Sequence, residues 1–170
     1  MSAVTHPSTA QAADHTLGTE GLVRGEIYMD EIVQASVLVP VLVIIALTVF
    51  AILRLARARG VHSRERGMDY YRTHQGPPEP DYVIVAARHY ANLFETPMLF
   101  YAGAITVYVL NAVTAWVLVF AWGYAVSRVL QSAIHLTYNN PGHRGVAFLA
   151  SWLFLIALWI SNGVAIFRLL

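Results

Sequence analysis

No cysteine occurs in the 170 residues, which excludes both a disulfide framework and a thiolate metal site. Lysine is missing as well, so all eleven basic residues are arginine. Charge of either sign is scarce: 12% of residues, against about 25% in an ordinary soluble domain. A formal net charge of +1 selects no partner by itself, so the positions of the charges carry the argument. No set of His, Asp and Glu has metal-ligand spacing, and the interval from His135 to His143 crosses a turn, so no metal is expected. The first residues lack a basic start and an apolar core, and they do not read as a secretory signal. Residues 1–28 form a small-residue polar tail that cannot bury a core, and disorder is expected there.

What the chain has is apolar length. Hydrophobic residues make up 57% of it, and the mean hydropathy is +0.54. One membrane domain over 29–170 follows. A membrane helix needs about 20 mostly apolar residues, and four stretches qualify: Ile32 to Leu53, Tyr82 to Leu110, Ala112 to Tyr138 and Gly145 to Phe167. The predicted fold is therefore an all-α bundle of four transmembrane helices. Pro40 and Pro97 fall inside helical runs, which membrane helices tolerate with a kink. Leu110, Asn111 and Ala112 make a very short link between spans two and three. Asn139, Asn140, Pro141, Gly142 and His143 form a turn before span four. Short links imply antiparallel neighbours.

Arginine placement predicts orientation. Arg54, Arg57, Arg59, Arg64, Arg66 and Arg72 lie in the long first connection, and Arg144 in the third. The opposite side holds Arg24 and Arg168. The first connection is expected in the cytoplasm and both termini outside it, in a multi-pass protein of a bacterial inner membrane. Arginines flanking a span signal topology or contact lipid headgroups, so no nucleic-acid partner is expected.

Charges inside the spans are costly, roughly 2.5–3.5 kcal/mol each on insertion scales. The second span nevertheless carries Arg88, Asn92 and Glu95 at i, i+4 and i+7, on one helix face. The third carries Arg128, Gln131 and His135 at i, i+3 and i+7, again on one face. Arg144 opens the fourth. Arg88 lies about 10 Å inside span two, and Arg128 about 15 Å before the end of span three, at 1.5 Å per residue. The two polar faces are thus expected to meet in the cytoplasmic half, with Arg144 at the mouth. An alternative is that Arg88, Glu95 and Arg128 only form internal ion pairs that hold the bundle together. His89 falls off the polar face. Tyr82, Trp116 and Trp152 read as interface anchors or packing.

The run Arg88-x-x-x-Asn92-x-x-Glu95, followed by Pro97, resembles the second-helix signature of the MAPEG family, the membrane-associated proteins in eicosanoid and glutathione metabolism. Arg128 and Arg144 match in order and spacing, and the layout agrees over roughly Glu31 to Leu169. The resemblance implies a homotrimer of four-helix subunits. It implies glutathione as co-substrate between neighbouring subunits, and lipophilic electrophiles or peroxides arriving from membrane lipids. By position, Arg88, Asn92, Glu95, Arg128, Gln131 and His135 would contact glutathione, and Arg144 would activate its thiol. Arginine forks suit the two glutathione carboxylates. A cation at a helix N-terminus suits a thiolate, because a thiol near pKa 8.5 is otherwise mostly protonated at neutral pH. The chain departs from the best-known members at Ala91, His135, Gly145 and Phe148.

The expected activity is thus a glutathione-dependent transferase or peroxidase. The rivals are a non-catalytic scaffold or lipid binder and a small transporter. A transporter would be favoured by an internal repeat, and the sequence has none.

Overall fold

The computed structural model describes residue 27 and residues 29–67, 69–73 and 79–170. Apart from Ile27, the tail 1–28 lies outside them, as do Gly76, Pro77 and Pro78. Residues 29–35 are helical and lead through a turn at Ser36 and Val37 into α1, Leu38–Arg66. Then follow α2, Asp69–Thr73; α3, Asp81–Glu95; α4, Pro97–Val109; α5, Ala115–Leu136; and α6, Pro141–Phe167. Among the described residues, three helical runs are long and apolar enough to cross a membrane: Met29–Arg66, Ala115–Leu136 and Pro141–Phe167.

The expected second span, Tyr82 to Leu110, is two helices of 15 and 13 residues. Pro97 has no N–H to give to the preceding turn, so the ladder breaks there and Pro97 starts α4. Thr96 keeps right-handed helical angles, so α4 follows on from α3. The first connection also differs from expectation. Arg54, Arg57, Arg59, Arg64 and Arg66 all belong to α1, which runs on to Gly67, where φ is +84°. A charged stretch reads as loop by hydropathy, but arginine is a good helix former.

Both tight links use asparagine in the left-handed region. Asn111 has φ 50°, and Ala112 N–H donates back to the Val107 carbonyl at 3.0 Å while Asn111 N–H donates to Tyr108 at 3.0 Å. That pairing closes a helix C-terminus with the carbonyls satisfied. Asn139 has φ 46°, and its N–H donates to Ile134 at 2.8 Å. Asn140 then caps α6, its Oδ1 accepting from Gly142 N–H at 2.9 Å and His143 N–H at 3.2 Å.

Large apolar side chains face outward all round: Leu42, Met98, Trp116, Leu153 and Ile160 are among the most exposed. A water-soluble surface rarely carries so much contiguous apolar area, whereas lipid demands it. The interior separates into two ends. Towards Asn111 it is apolar, built from Val37, Ile44, Phe100, Ala104, Val107, Tyr124, Leu155 and Leu158. Phe100 stacks on Tyr124 with ring centroids 4.3 Å apart. α5 and α6 approach closely at Gly123, where an added Cβ would lie 2.5 Å from the Phe154 ring. Asn162 is fully buried, its Nδ2 donating to the Gly103 and Leu158 carbonyls, both at 3.1 Å. Towards Asn139 the interior turns polar.

Candidate functional site

The inward stripe of α5 runs Val117, Ala121, Tyr124, Arg128, Gln131, His135, at helical spacing of three or four. It is apolar at its start and polar at its end. Tyr124 marks the border, its hydroxyl 3.2 Å from Thr96 Oγ1 at the break between α3 and α4. One turn on, Arg128 is 1% exposed. Its Nη1 donates to Gln131 Oε1 at 2.6 Å, its Nη2 donates to the Asn92 carbonyl, and its guanidinium lies 5.8 Å from the Phe148 ring centre. Its Nε has no hydrogen-bond partner among the described residues.

Further towards the Asn139 end, His135 Nε2 lies 3.2 Å from the Val85 carbonyl and His135 Nδ1 lies 2.6 Å from Arg144 Nη1. The same Nη1 donates to Asn139 Oδ1 at 2.8 Å. The left-handed Asn139 turn and the Asn140 cap thus bring Arg144, in the first turn of α6, back over the end of α5. His89 stacks on His135 with ring centroids 5.3 Å apart. It is buried, and neither ring nitrogen has a partner among the described residues. Arg54 of α1 reaches the same place. Its Nη1 is buried without a partner, and its charge acts on both imidazoles. His89, Asn92, Arg128, Gln131, Ser132 and His135 enclose a cavity with room for about one water molecule.

No carboxylate among the described residues lies within ion-pair distance of Arg54, Arg128 or Arg144. The described ion pair, Arg59–Glu79 at 3.5 Å, sits outside the cluster. There Arg59 also covers the Tyr71 ring at 5.9 Å, and Tyr70 and Tyr71 meet His62 edge-on. The described residues contain no group of His, Asp and Glu able to hold a metal.

Of the residues singled out in the sequence, Arg128, Gln131, His135 and Arg144 converge. Asn92 joins them through its backbone. Arg88 and Glu95 do not: both side chains are exposed on the outside of the protomer. Glu95 lies beyond ion-pair distance of Arg128, although its charge acts on that guanidinium. Two residues were not foreseen. His89 lies on the packing stripe Val83, Ala86, His89, Leu93 of α3, and that spacing of three, three and four was the signal for it. Arg54 was counted with the topology arginines because it closes an apolar run. Its spacing of three from buried Ala51, on the inward side of α1, pointed inward.

The MAPEG family model matches residues 37–164, which takes in α1 from its start, the break at Thr96, the polar end of α5 and most of α6. No curated protein and no solved structure matches. Matched over well more than half its length, and carrying its polar cluster inside that match, the chain belongs to the MAPEG family.

Proposed function

We propose that this protein is a membrane transferase or peroxidase that presents the thiolate of glutathione to lipophilic electrophiles. The observation that carries this reading is the set of Arg54, Arg128 and Arg144 around one polar end, with no carboxylate of the described residues within ion-pair distance. A buried guanidinium is costly unless an anion and hydrogen bonds compensate it. A ligand with two carboxylates and an acidic thiol supplies that compensation. Arg forks bind carboxylates in pairs of hydrogen bonds. Arg144, at the N-terminus of α6, holds a cation and the helix dipole beside the sulfur. The thiol proton leaves to solvent, the thiolate forms the new bond to the electrophilic centre, and the leaving group departs with the bonding pair.

The cavity inside one protomer is far too small for a tripeptide. The ligand therefore extends from the polar end onto the open face of α3, where Arg88 and Glu95 are exposed. Two such groups facing lipid would each cost several kcal/mol, on the order of the insertion penalty. A second copy covering that face removes the cost and closes the site, which fits a homotrimer with glutathione between subunits. α3 and α4 together supply the fourth crossing, kinked at Thr96. The arginines of α1 and Arg144 then lie on the cytoplasmic side of a bacterial inner membrane, with both termini opposite.

The test is a titration of purified, detergent-solubilised protein with glutathione, followed by thiolate absorbance, together with turnover of a generic aromatic electrophile and native mass spectrometry. Thiolate formation, turnover and a trimer are expected. A folded protein showing neither thiolate nor turnover would leave a lipid-binding scaffold as the better account.

A further inference from the structure

We infer that His135 is a positioning residue for Arg144, holding it only while the imidazole is neutral, so that protonation of His135 releases Arg144 and switches the site off. The inference rests on the thiol-activating reading of Arg144, and it deepens that reading by naming what orients the guanidinium and what turns it off.

The argument begins with hydrogen-bond capacity. A guanidinium has five donors and no acceptor. Arg144 Nη1, 2.6 Å from His135 Nδ1, therefore requires a lone pair on Nδ1. The proton of the ring must then sit on Nε2, and the Val85 carbonyl at 3.2 Å from Nε2 is placed to accept it. Backbone of α3 and guanidinium of α6 thus select one tautomer of one neutral ring. Nη1 carries two hydrogens. One goes to His135 Nδ1 and the other to Asn139 Oδ1 at 2.8 Å. Both acceptors lie at the end of α5, so Nη1 is fully committed, and Nε and Nη2 remain as the donors that an incoming anion meets.

Protonated His135 has donors on both nitrogens. Nδ1–H would then point at Arg144 N–H, donor against donor and cation against cation. The other groups around the ring add to the conflict: His89 of α3 stacks on it, Arg54 of α1 acts on it, and Arg128 lies on the same face of α5. None of them is an anion, and the Val85 carbonyl, which accepts from Nε2 in the neutral ring as well, does not relieve the clash at Nδ1. The lower-energy response is for Arg144 to swing away from its position beside Asn139.

The experiment compares pH profiles of glutathione thiolate formation and turnover for wild type, His135→Asn and His135→Leu in the purified trimer. Asparagine places its Oδ1 near the position of Nδ1 and accepts from Arg144 without titrating. Protonation of the thiol itself gives every variant an acid limb of one proton. Wild type should fall more steeply, as a second proton binds His135, and His135→Asn should show the thiol limb alone, whatever the height of its plateau. His135→Leu should fall about 10²-fold where wild type is fully active, the usual cost of a misplaced reacting group, and the gap should close on the acid side. An acid limb in His135→Asn identical to that of wild type, or full activity in His135→Leu, would overturn the inference. A measurement independent of glutathione separates its failure from that of the enzyme reading. Nitrogen-15 histidine spectra of the ligand-free protein should show His135 with its proton on Nε2. A proton on Nδ1 at neutral pH would sink the inference even if turnover is present.

Discussion

The two ends of the bundle solve different problems with the same helices. Towards Asn111, Phe100, Tyr124, Val107 and Leu158 pack in one apolar cluster, and the deeply buried amide there, Asn162, gives its Nδ2 to two backbone carbonyls and leaves only its Oδ1 without a partner among the described residues. Towards Asn139, the same stripe of α5 carries Arg128, Gln131 and His135, and several buried polar atoms stay without partners. In a packed interior most polar groups are paired, so a cluster of orphans asks for a ligand or water. The contrast teaches that apolar packing and unpaired polar groups are placed at opposite ends, with the Thr96–Tyr124 contact as their border. The sharpest way to break that contrast is to find a residue at the polar end on which the fold depends, or one at the apolar end on which only turnover depends.

Arg144→Ala should have the largest effect, and on chemistry alone. Arg144 sits at the start of α6, half-buried, and its side-chain partners are His135 and Asn139 rather than the apolar core. Removing an electrostatic stabiliser of this kind typically costs about 10²–10³ in rate. Turnover with a generic electrophile and thiolate absorbance should fall together, while thermal unfolding and the oligomeric state seen by native mass spectrometry stay as in wild type. Arg144→Lys should recover only part of the loss, because a point charge cannot reproduce a planar fork. A large loss of thermal stability in Arg144→Ala would dissolve the division between the two ends.

Much of this organisation was legible beforehand, and the failures have physical causes. The apolar runs revealed the bundle because lipid requires about 20 apolar residues per crossing. The Asn-rich links were legible because asparagine tolerates a positive φ. The polar stripe of α5 could be read because Arg128, Gln131 and His135 share one face. Arg88 and Glu95 share a face too, but spacing alone does not tell whether that face looks into its own bundle or outward, and they look outward. His89 was missed because a polar face was sought, whereas it occupies one slot of an otherwise apolar packing stripe. Arg54 was missed because the end of an apolar run was taken as the end of the helix, and α1 continues well past it.

Gly123→Ala probes the apolar side of the comparison, with an intermediate effect. The added methyl would stand 2.5 Å from Cδ1 and Cε1 and 2.8 Å from Cγ of Phe154, so the whole ring must move. Overpacking of this kind typically costs about 1–3 kcal/mol. Unfolding in detergent should shift to lower temperature, while the thiolate yield per folded protein stays unchanged. A normal melting temperature with reduced thiolate formation would mean that the spacing of α5 and α6 serves the site and not the fold. Gly123→Ala with Phe154→Leu should restore part of the stability, because the smaller side chain leaves room for the methyl.

The smallest effect is expected at the junction that aims the polar end. Asn140 Oδ1 accepts from Gly142 and His143 N–H groups, filling two of the donors left open at the start of α6. Replacing such a cap with alanine costs typically about 1 kcal/mol. Asn140→Ala should therefore lower thermal stability only slightly. Its effect on chemistry has a separate route, because the cap fixes where the first turn of α6 begins, and Arg144 stands in that turn with its own N–H on the Asn140 carbonyl at 3.1 Å. Aspartate accepts from the same two N–H groups, so Asn140→Asp should keep the cap and hold both stability and thiolate formation near wild type. If Asn140→Ala melts normally and forms thiolate normally, the backbone of the Asn139 turn alone positions Arg144. If it melts normally but loses thiolate, the cap acts on the guanidinium and not on the bundle, which is the outcome the separation of the two ends requires.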